Sequence, residues 1–326
     1  MEKSTNKAEV FRVKEVLPHP NADMLEIVSV GAYASCVKKG DFKEGDLGIF
    51  IPPDNLVDSS REHFSFLGKG EKVLIRAKKL RGYLSYGLVI PLPSWLNAEE
   101  QEDVAGKIGV THYEPPEERI TGGEVARGPD ILTFKYDVDS CWRYYNLVPR
   151  NVPLLVTQKI NGSNARYVWD GEMHVGSRTE WKKYDERSIW WQALKNTPAL
   201  EEFCKKNPRL VVYGEVYGHV GGYKYGRNSV GFAAFDILHN GNWLIPKEAR
   251  QIAKDIPWVP AVEEIILKGD PAEKDYLTQL ASCSSILDAN TLNEGVVLEG
   301  LKENFYDSKV GRIKFKVINP AYLLRK

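Results

Sequence analysis

Short apolar runs alternate with turn residues over the first third of the chain. Between Phe11 and about Pro93 the runs are FRVKEVL, LEIVSV, LGIFIP, KVLIRA and YGLVIPLP, and the segments between them include PHPNAD, KKGDFKEGD and PPDN. Apolar runs of this length, bounded by Pro, Gly, Asn and Asp, predict short β-strands joined by turns. The pattern favours a small β-barrel or sandwich.

This regularity is lost over residues 98–130. The segment begins with the acidic run AEEQEDVAGKIG and continues with THYEPPEERITGGEVARGPD, which contains Pro and Gly but few periodic apolar positions. Such a composition is typical of a linker or a surface excursion. We therefore predict a β-rich domain over residues 1–110, a linker over 111–145 and a second domain over 146–326.

Strand and helix patterns alternate in the second domain. The strand patterns are LLVTQKI, ARYVWDGEMHVGSR, RLVVYGEVYG, GFAAFDIL, EGVVLEGL and RIKFKVI, and Asp170-Gly171 predicts a hairpin turn inside the second of them. The helix patterns are SIWWQALK, PALEEFCKK, PKEARQIAKD and PAEKDYLTQLASC. In the last, Asp270 is the expected N-cap, with Pro271 in the first turn and Glu273 three residues after the cap. The whole chain is thus predicted to be α+β.

Composition and charge restrict the class of protein. The 326 residues are 43% hydrophobic and 27% charged, with 44 basic and 44 acidic side chains, as in a soluble protein with two cores. The four cysteines lie more than 60 residues apart, without disulfide or zinc spacing. The N-terminus is polar, and no run approaches the roughly 18 apolar residues that span a bilayer. We expect a cytoplasmic or nuclear protein with no membrane partner.

One candidate for chemistry is the run Gln158-Lys159-Ile160-Asn161-Gly162, in which a lysine ends an apolar strand. An amine held on a strand end can act as a nucleophile if its pKa is lowered. By itself such a lysine is more often a solvated turn residue.

A second candidate is RIKFKVI. Because side chains alternate along a strand, Lys314 and Lys316 share one face while Phe315 and Val317 share the other. Two adjacent cations either lie on a solvated face or hold a phosphate. Glu215 and Glu294, each beside glycine, are either rim residues or site residues that a ligand or hydrated metal can approach.

Further short motifs occur in a fixed order along the second domain. GSRT contains Arg178, YGEVYG contains Glu215, FAAFDI contains Phe235, EGVVLEG begins with Glu294, and KFK contains the two lysines. With the Lys159 run they resemble motifs I, Ia, III, IIIa, IV and V of the covalent nucleotidyltransferase superfamily, which comprises polynucleotide ligases and mRNA capping enzymes. The ordered set is far more specific than any single motif.

The resemblance implies a role for each of these residues. Lys159 attacks the α-phosphorus of ATP and carries AMP, and neighbouring positive charge is expected to lower its pKa. The nucleotide-binding residues would be Gln158, Ile160, Asn164, Arg178, Glu215, Phe235, Val296, Lys314 and Lys316. Phe235 would stack on adenine, with core packing as its alternative role, and the two lysines would hold the α-phosphate. The ligands of Mg²⁺ or Mn²⁺ would be Glu215, Glu294 and Asn161.

The motif I run also indicates a branch of the superfamily. DNA ligases and capping enzymes usually carry K-x-D-G-x-R, whereas this chain has Asn161 in place of the Asp and Asn164 in place of the Arg. In having Asn164 in place of the Arg, the motif resembles that of an RNA ligase. The neutral amide of Asn161 is expected to hold metal-bound water more weakly than a carboxylate would.

Domain order indicates the same branch. DNA ligases and capping enzymes place an OB domain after motif V, but only residues 317–326 follow it here, so we expect the accessory domain to precede the catalytic one. The N-terminal β-region resembles the OB domain that precedes the nucleotidyltransferase domain in one RNA ligase branch. Its basic residues Lys69, Lys72, Arg76, Lys78, Lys79 and Arg81 form either an RNA-binding patch or a solvated face.

We therefore expect a monomeric, ATP-dependent RNA ligase that joins RNA 3′-OH and 5′-phosphate ends. The reaction would pass through lysyl-AMP and an adenylylated RNA 5′ end. A DNA-nick ligase, a GTP-dependent guanylyltransferase and a catalytically inactive RNA-binding protein remain as alternatives. The physiological RNA and the choice between Mg²⁺ and Mn²⁺ stay open.

Overall fold

The computed structural model describes residues 8–68, 70–113 and 124–325. The chain divides into two compact units. The N-terminal unit takes its described residues from 4–115, 141–146 and 323–326, and the C-terminal unit takes them from 116–140 and 147–322. The predicted linker over 111–145 therefore contributes residues to both units.

The N-terminal unit is built mainly of short strands. They are β1 (Glu9–Arg12), β2 (Val16–Pro18), β3 (Leu25–Val30), β4 (Tyr33–Lys38), β5 (Leu47–Ile51), β6 (Asn55–Asp58), β7 (Lys72–Ile75), β8 (Lys78–Leu80), β9 (Tyr83–Ser85), β10 (Leu88–Pro91) and β11 (Val110–His112). Three-stranded sheets form in the orders β1-β5-β10, β2-β3-β4 and β11-β6-β7, and β8 pairs with β9. A 3₁₀ helix (Glu62–Leu67) and helix α1 (Ala105–Ile108) complete the unit. Its core includes Val10, Ile49 and Phe64, which are fully buried, as the alternating apolar pattern predicts.

Residues 141–146 pack against this unit although the sequence predicted them to be linker. The amide of Ala32 donates a 2.7 Å hydrogen bond to the carbonyl oxygen of Trp142. Gly31 has φ +62°, and the Trp142 and Arg143 carbonyl oxygens would lie 2.8 and 2.9 Å from any Cβ there, so the contact requires glycine. Arg143 also forms a largely buried 2.9 Å ion pair with Glu9.

The C-terminal unit contains two larger sheets. Its strands are β12 (Asp139–Ser140), β13 (Pro153–Lys159), β14 (Ser163–Trp169), β15 (Met173–Gly176), β16 (Trp181–Lys182), β17 (Leu210–Tyr217), β18 (Gly231–His239), β19 (Asn242–Trp243), β20 (Ala261–Ile266), β21 (Gly295–Gly300), β22 (Tyr306–Asp307), β23 (Gly311–Arg312) and β24 (Lys314–Ile318). The sheet orders are β12-β24-β21-β13-β20 and β16-β15-β14-β17-β18-β19, and β22 pairs with β23. Helices are α2 (Ile189–Lys195), α3 (Pro198–Lys206), α4 (Pro246–Ile252), α5 (Glu273–Ser282) and α6 (Pro320–Leu323). A second 3₁₀ helix (Tyr145–Leu147) lies where the chain passes from the N-terminal to the C-terminal unit.

The two faces of the six-stranded sheet are covered differently. On one face, Tyr167 and Phe232 pack with Trp190 of α2 and Leu200 of α3. On the other, residues 131–138 cross the sheet, and the Phe134 amide donates a 2.9 Å hydrogen bond to the Tyr213 hydroxyl. The sequence predicted linker here because the apolar residues of this segment have no helical or strand period.

The predicted hairpin at Asp170-Gly171 and the four predicted helices are present. The predicted start of the last helix is wrong, since α5 begins at Glu273. Asp270 Oδ1 accepts from the Ala272 amide, while the Glu273 carboxylate accepts from Gly269 and binds Arg150 instead of closing a capping box. The four cysteines are free thiols, as expected. Within the described ranges, the helices are all too short or too polar to cross a lipid bilayer.

Candidate active site

The site is centred on Lys159 at the end of β13. Strand β21 runs antiparallel to β13 with Gly295 opposite Lys159, so Glu294 lies beside the lysine although 135 residues separate them in sequence. Lys159 Nζ donates a 2.8 Å hydrogen bond to Glu294 Oε1. Both side chains are mostly buried, with 27% and 12% of their surfaces exposed. Pairing of two strand ends thus brings the motif I lysine to the motif IV carboxylate.

Strand register places the motif V lysines on the same face as Lys159. Strand β21 also pairs with β24, so that Thr157, Val297 and Lys316 lie in one row across three strands. Directly opposite residues point to the same side of a sheet, and so do residues two apart along a strand. Lys159 and Lys316 therefore share a face, two strands or roughly 10 Å apart across the sheet.

Glu215 enters from the six-stranded sheet, where it lies on β17 opposite Asn164 of β14. Its carboxylate accepts a hydrogen bond from the Gly162 amide and interacts electrostatically with Lys159 and Glu294. Three acidic and basic groups from two sheets therefore meet at one place.

Backbone packing explains the glycines beside these carboxylates. A Cβ at Gly214 would collide with the Phe232 ring, and one at Gly295, where φ is +151°, would collide with the carbonyl oxygen of Val317. The sequence interpretation that these glycines make room for a ligand is wrong at both positions, because neighbouring residues of the fold already fill the space.

The electrostatics of Lys159 and its neighbouring carboxylates differ from the expectation based on sequence. Burial, with a further contribution from Glu294, raises the pKa of Glu215 to about 8 even though Lys159 opposes the shift. Burial lowers the pKa of Lys159, but the carboxylates of Glu294 and Glu215 raise it by more, so the net shift is upward. The expected lowering of the Lys159 pKa is therefore wrong for this structure, because carboxylates and not cations surround the amine.

Lys314 is held in a buried network. Its Nζ lies 3.0 Å from Asp236 Oδ2, 2.9 Å from Glu299 Oε2 and 3.3 Å from the carbonyl oxygen of Phe235. Lys314 donates hydrogen bonds to Asp236 and to the Phe235 carbonyl oxygen, and its contact with Glu299 is an ion pair. Lys316, in contrast, is half-buried and pairs with no side chain in the described ranges.

The same network contains two residues that sequence reasoning missed. Tyr136 donates a 2.6 Å hydrogen bond to Asp236, and Arg312 Nη1 lies 3.1 Å from Asp236 Oδ1. Burial raises the pKa of Asp236, but the positive charges of Arg312 and Lys314 help to lower it by more. The net result is a pKa of about 2. Nothing in the sequence pattern linked Tyr136 to this strand, because the segment that carries it was predicted to be linker.

A β-bulge positions Phe235. On β17 and β18, Tyr213 pairs with Asp236 and Gly214 pairs with Ala234, which leaves Phe235 as the extra residue. Bulges redirect the side chain that they carry. The Phe235 ring is half-buried and lies 4.5 Å from the ring of Tyr136, tilted by 44°.

Two more predicted residues lie near polar groups of this region. Arg178 follows β15, and its Nη2 lies 3.6 Å from the carboxylate of Asp137, which also raises the pKa of Lys159. Asn164 Oδ1 is buried and has no hydrogen-bond partner among the described residues. Asp137 is a site residue that the sequence did not reveal, for the same reason as Tyr136.

Three predicted nucleotide-binding residues have their side chains in the protein core. Gln158 Nε2 donates to Ser285 Oγ at 2.7 Å, and Gln158 Oε1 accepts from the Ile286 amide at 2.9 Å. Ile160 packs in a cluster with tyrosines, and Val296 is fully buried. These three residues have only backbone atoms to offer a nucleotide.

The predicted RNA-binding residues belong to the N-terminal unit. Lys69 lies outside the described residues, and the five others are exposed on β7, β8 and the adjoining turns: Lys72, Arg76, Lys78, Lys79 and Arg81. Of the nearby aromatic residues, Tyr86 packs on Tyr33 with ring centroids 4.9 Å apart, and burial raises its pKa to about 12.

Comparison with protein families decides the class. Residues 152–318 match the RNA ligase family, and residues 7–92 match an OB-fold domain family. The chain belongs to the RNA ligase family. The RNA ligase branch with an N-terminal OB domain, indicated by Asn164 and by domain order, is confirmed, and so is the predicted α+β fold class.

Solved RNA ligases from Naegleria gruberi have the same fold. A lysine-to-alanine variant of RNA ligase R4a, without ligand, matches with a TM-score of 0.85 and 24% identity, covering 98% of each chain. The Naegleria gruberi RNA ligase with PPi matches with a TM-score of 0.84 and 24% identity, again over 98% of each chain. A lysine-to-alanine variant of the Naegleria gruberi RNA ligase, with ATP and Mn, matches with a TM-score of 0.84 and 24% identity. The match covers 97% of the present chain and 98% of the Naegleria chain. No curated protein sequence matches the chain.

Proposed function

We propose that this protein is a monomeric, ATP-dependent RNA ligase that joins RNA 3′-OH and 5′-phosphate ends through a lysyl-AMP intermediate. The observation that carries the proposal is the 2.8 Å contact between Lys159 and Glu294, with Glu215 beside them and Lys316 on the same sheet face. The fold shared with an RNA ligase solved with ATP and Mn supports ATP and a divalent metal as the co-substrate and cofactor.

The residues present fit a divalent metal. Glu215 and Glu294 supply the oxygen donors that Mg²⁺ and Mn²⁺ prefer. The raised pKa of Glu215 reflects in part repulsion by the neighbouring Glu294 carboxylate, which a bound cation would relieve. Within the described ranges no group of three or more His, Cys, Asp and Glu side chains could form a cage, so the remaining ligands would be water and phosphate oxygens. When bound, the cation would neutralise negative charge on the phosphates of ATP.

In the first step, Lys159 would lose a proton to the Glu294 carboxylate or to water, and its neutral Nζ would then attack the α-phosphorus of ATP, forming the N–P bond as the P–O bond to pyrophosphate breaks in line. Phosphoryl transfer depends mostly on positioning and on neutralising charge. Glu294 fixes the amine through its hydrogen bond, and Lys316 would hold the α-phosphate from the same face. Phe235 would offer its exposed ring surface to adenine, and the unpaired Asn164 Oδ1 would accept a hydrogen bond from the nucleotide.

The later steps transfer AMP to RNA. The RNA 5′-phosphate would attack the lysyl-AMP phosphorus and release the Lys159 amine, and the 3′-OH would then attack the activated 5′-phosphate and expel AMP. The exposed basic residues of the N-terminal unit would bind the RNA backbone, because cations along a surface neutralise successive phosphates.

The test is covalent labelling with ATP that carries a labelled α-phosphate, in the presence of Mn²⁺. The wild-type protein is expected to become labelled, Lys159→Ala to remain unlabelled, and the exposed-lysine control Lys206→Ala to label as wild type. Labelled GTP, and nicked RNA against nicked DNA, separate the rival enzyme classes. Labelling of Lys159→Ala, or RNA binding without any labelling, would reject the proposal.

A further inference from the structure

Asn161 is the motif I position at which this chain departs from K-x-D-G, and its surroundings are unusual for a metal ligand. Its side-chain Nδ2 donates a short hydrogen bond to the hydroxyl of Tyr322. Its backbone amide donates a 2.8 Å hydrogen bond to the hydroxyl of Tyr225. Both nitrogen atoms of this residue therefore donate to tyrosine hydroxyls.

The remaining polar atom of the side chain, Oδ1, lies close to the loop at residue 221. A Cβ at Gly221, where φ is +58°, would lie 2.9 Å from Asn161 Oδ1, so the loop at residue 221 comes close to the amide oxygen. The side-chain nitrogen is a donor and cannot ligate a metal, and the side-chain oxygen, which could, lies against the loop at residue 221.

The tyrosines that bind Asn161 belong to a larger aromatic cluster. The Tyr225 ring lies 5.7 Å from Tyr217 and 5.9 Å from Tyr223, and Tyr223 lies 6.2 Å from Tyr322. Ile160 packs into the same cluster. The turn that follows Lys159 is therefore fixed by Ile160, by hydrogen bonds from both nitrogen atoms of Asn161, and by the Gly162 amide, which donates to Glu215.

We propose that Asn161 is a positioning residue for Lys159, which it holds through the hydroxyls of Tyr225 and Tyr322, and that it does not bind the divalent metal. The inference rests on the proposed function, because it assigns Asn161 a role in orienting the nucleophile. Loosening this turn lets the amine leave the in-line geometry, and positioning errors slow a reaction without changing how the metal binds.

The test compares Asn161→Ala, Tyr322→Phe and the double variant, with Tyr184→Phe as a control that removes an exposed phenol hydroxyl elsewhere. Two quantities are measured: the single-turnover rate of adduct formation at saturating ATP and Mn²⁺, and Mn²⁺ binding without ATP by electron paramagnetic resonance. Asn161→Ala and Tyr322→Phe are each expected to be about tenfold slower, which corresponds to about 1.4 kcal/mol of barrier. The double variant should be no slower than the slower single variant.

Mn²⁺ binding separates positioning from metal ligation. All variants are expected to bind Mn²⁺ within about twofold of wild type, because none of the substituted side chains ligates the ion or holds a group that does. Weakening of Mn²⁺ binding by Asn161→Ala alone, or a wild-type rate for Tyr322→Phe, would overturn the inference. A wild-type protein that forms no adduct would reject the proposed function, while the Mn²⁺ measurement would still decide the role of Asn161.

A conservative variant guards against a folding defect. In Asn161→Asp the carboxylate can accept a hydrogen bond from the Tyr322 O–H, so the rate should recover relative to Asn161→Ala. The same substitution combined with Tyr322→Phe should not recover it. Equal rates for Asn161→Asp with and without the Tyr322 hydroxyl would contradict the inference.

Discussion

The buried ion network around Asp236 gives a quantitative prediction. Asp236 has 2% of its side chain exposed, and Arg312 and Lys314 have 5% and 6% exposed. Asp236→Asn keeps the shape but removes one negative charge, leaving two buried cations with only Glu299 as a carboxylate partner. Removing one partner of a buried ion pair costs about 3–5 kcal/mol, because the remaining charge has lost its hydration without compensation.

The assay is thermal or urea unfolding of the whole protein. For a unit of about 150–250 residues, each kcal/mol lowers the melting temperature by roughly 2–4 °C, so Asp236→Asn should lower it by roughly 6–20 °C. The matched control is Asp130→Asn, which breaks an ion pair whose two side chains are 88% and 90% exposed, and it should change stability by less than about 0.5 kcal/mol. A loss below about 1 kcal/mol for Asp236→Asn would refute the reasoning.

The network also has a defined pH dependence. Its partners lower the pKa of Asp236 to about 2 in the folded protein, against about 3.9 for an ordinary aspartate. A depressed carboxyl pKa stabilises the fold above the ordinary value, and the contribution is lost as pH falls through the folded value. The difference in free energy of unfolding between wild type and Asp236→Asn should be constant above about pH 5 and shrink from about pH 4 toward pH 2. A difference that grows with acidity would contradict this.

Three further predictions concern the reaction and the RNA. Lys316→Ala should slow adduct formation about 10²- to 10³-fold while leaving stability unchanged, as measured by rapid-quench labelling, since it removes a charge near the α-phosphate. Phe235→Ala should raise the ATP concentration needed for half-maximal labelling by roughly 10- to 100-fold, because a stacked base contributes about 1–3 kcal/mol, and an unchanged ATP requirement would show that Phe235 is only a core residue. Replacing Lys78 and Lys79 together with alanine should weaken RNA binding and flatten its salt dependence without affecting ATP labelling, and an unaltered salt dependence in a filter-binding assay would place the RNA elsewhere.

Strand patterns and ordered motifs predicted much of this fold and part of the site. Local periodicity sets which face a strand side chain takes, so the shared face of Lys314 and Lys316 follows from alternation alone. The motif order predicted that Glu294 would meet Lys159, and the pairing of β13 with β21 brings them together. These features could be predicted because they depend on side-chain alternation along a strand or on an ordered set of motifs.

The remaining site residues depend on contacts that leave no local pattern. Tyr136 and Asp137 lie in a segment without periodicity, and they reach the site only because that segment crosses the six-stranded sheet. The Tyr322 contact of Asn161 joins residues 161 positions apart. The partners of Lys314 lie on β18 and on the adjacent strand β21, and sequence alone could not distinguish a phosphate-binding lysine from one held in an ion network.

The most direct test of the proposed chemistry is to locate the nucleotide on the protein. After incubation with ATP and Mn²⁺, tandem mass spectrometry of a proteolytic digest should find AMP on the peptide that contains Lys159, bound through its side-chain nitrogen. Acid should release the AMP, because a phosphoramidate bond is acid-labile. AMP on any other residue, or its absence from a protein that seals RNA, would contradict Lys159 as the nucleophile.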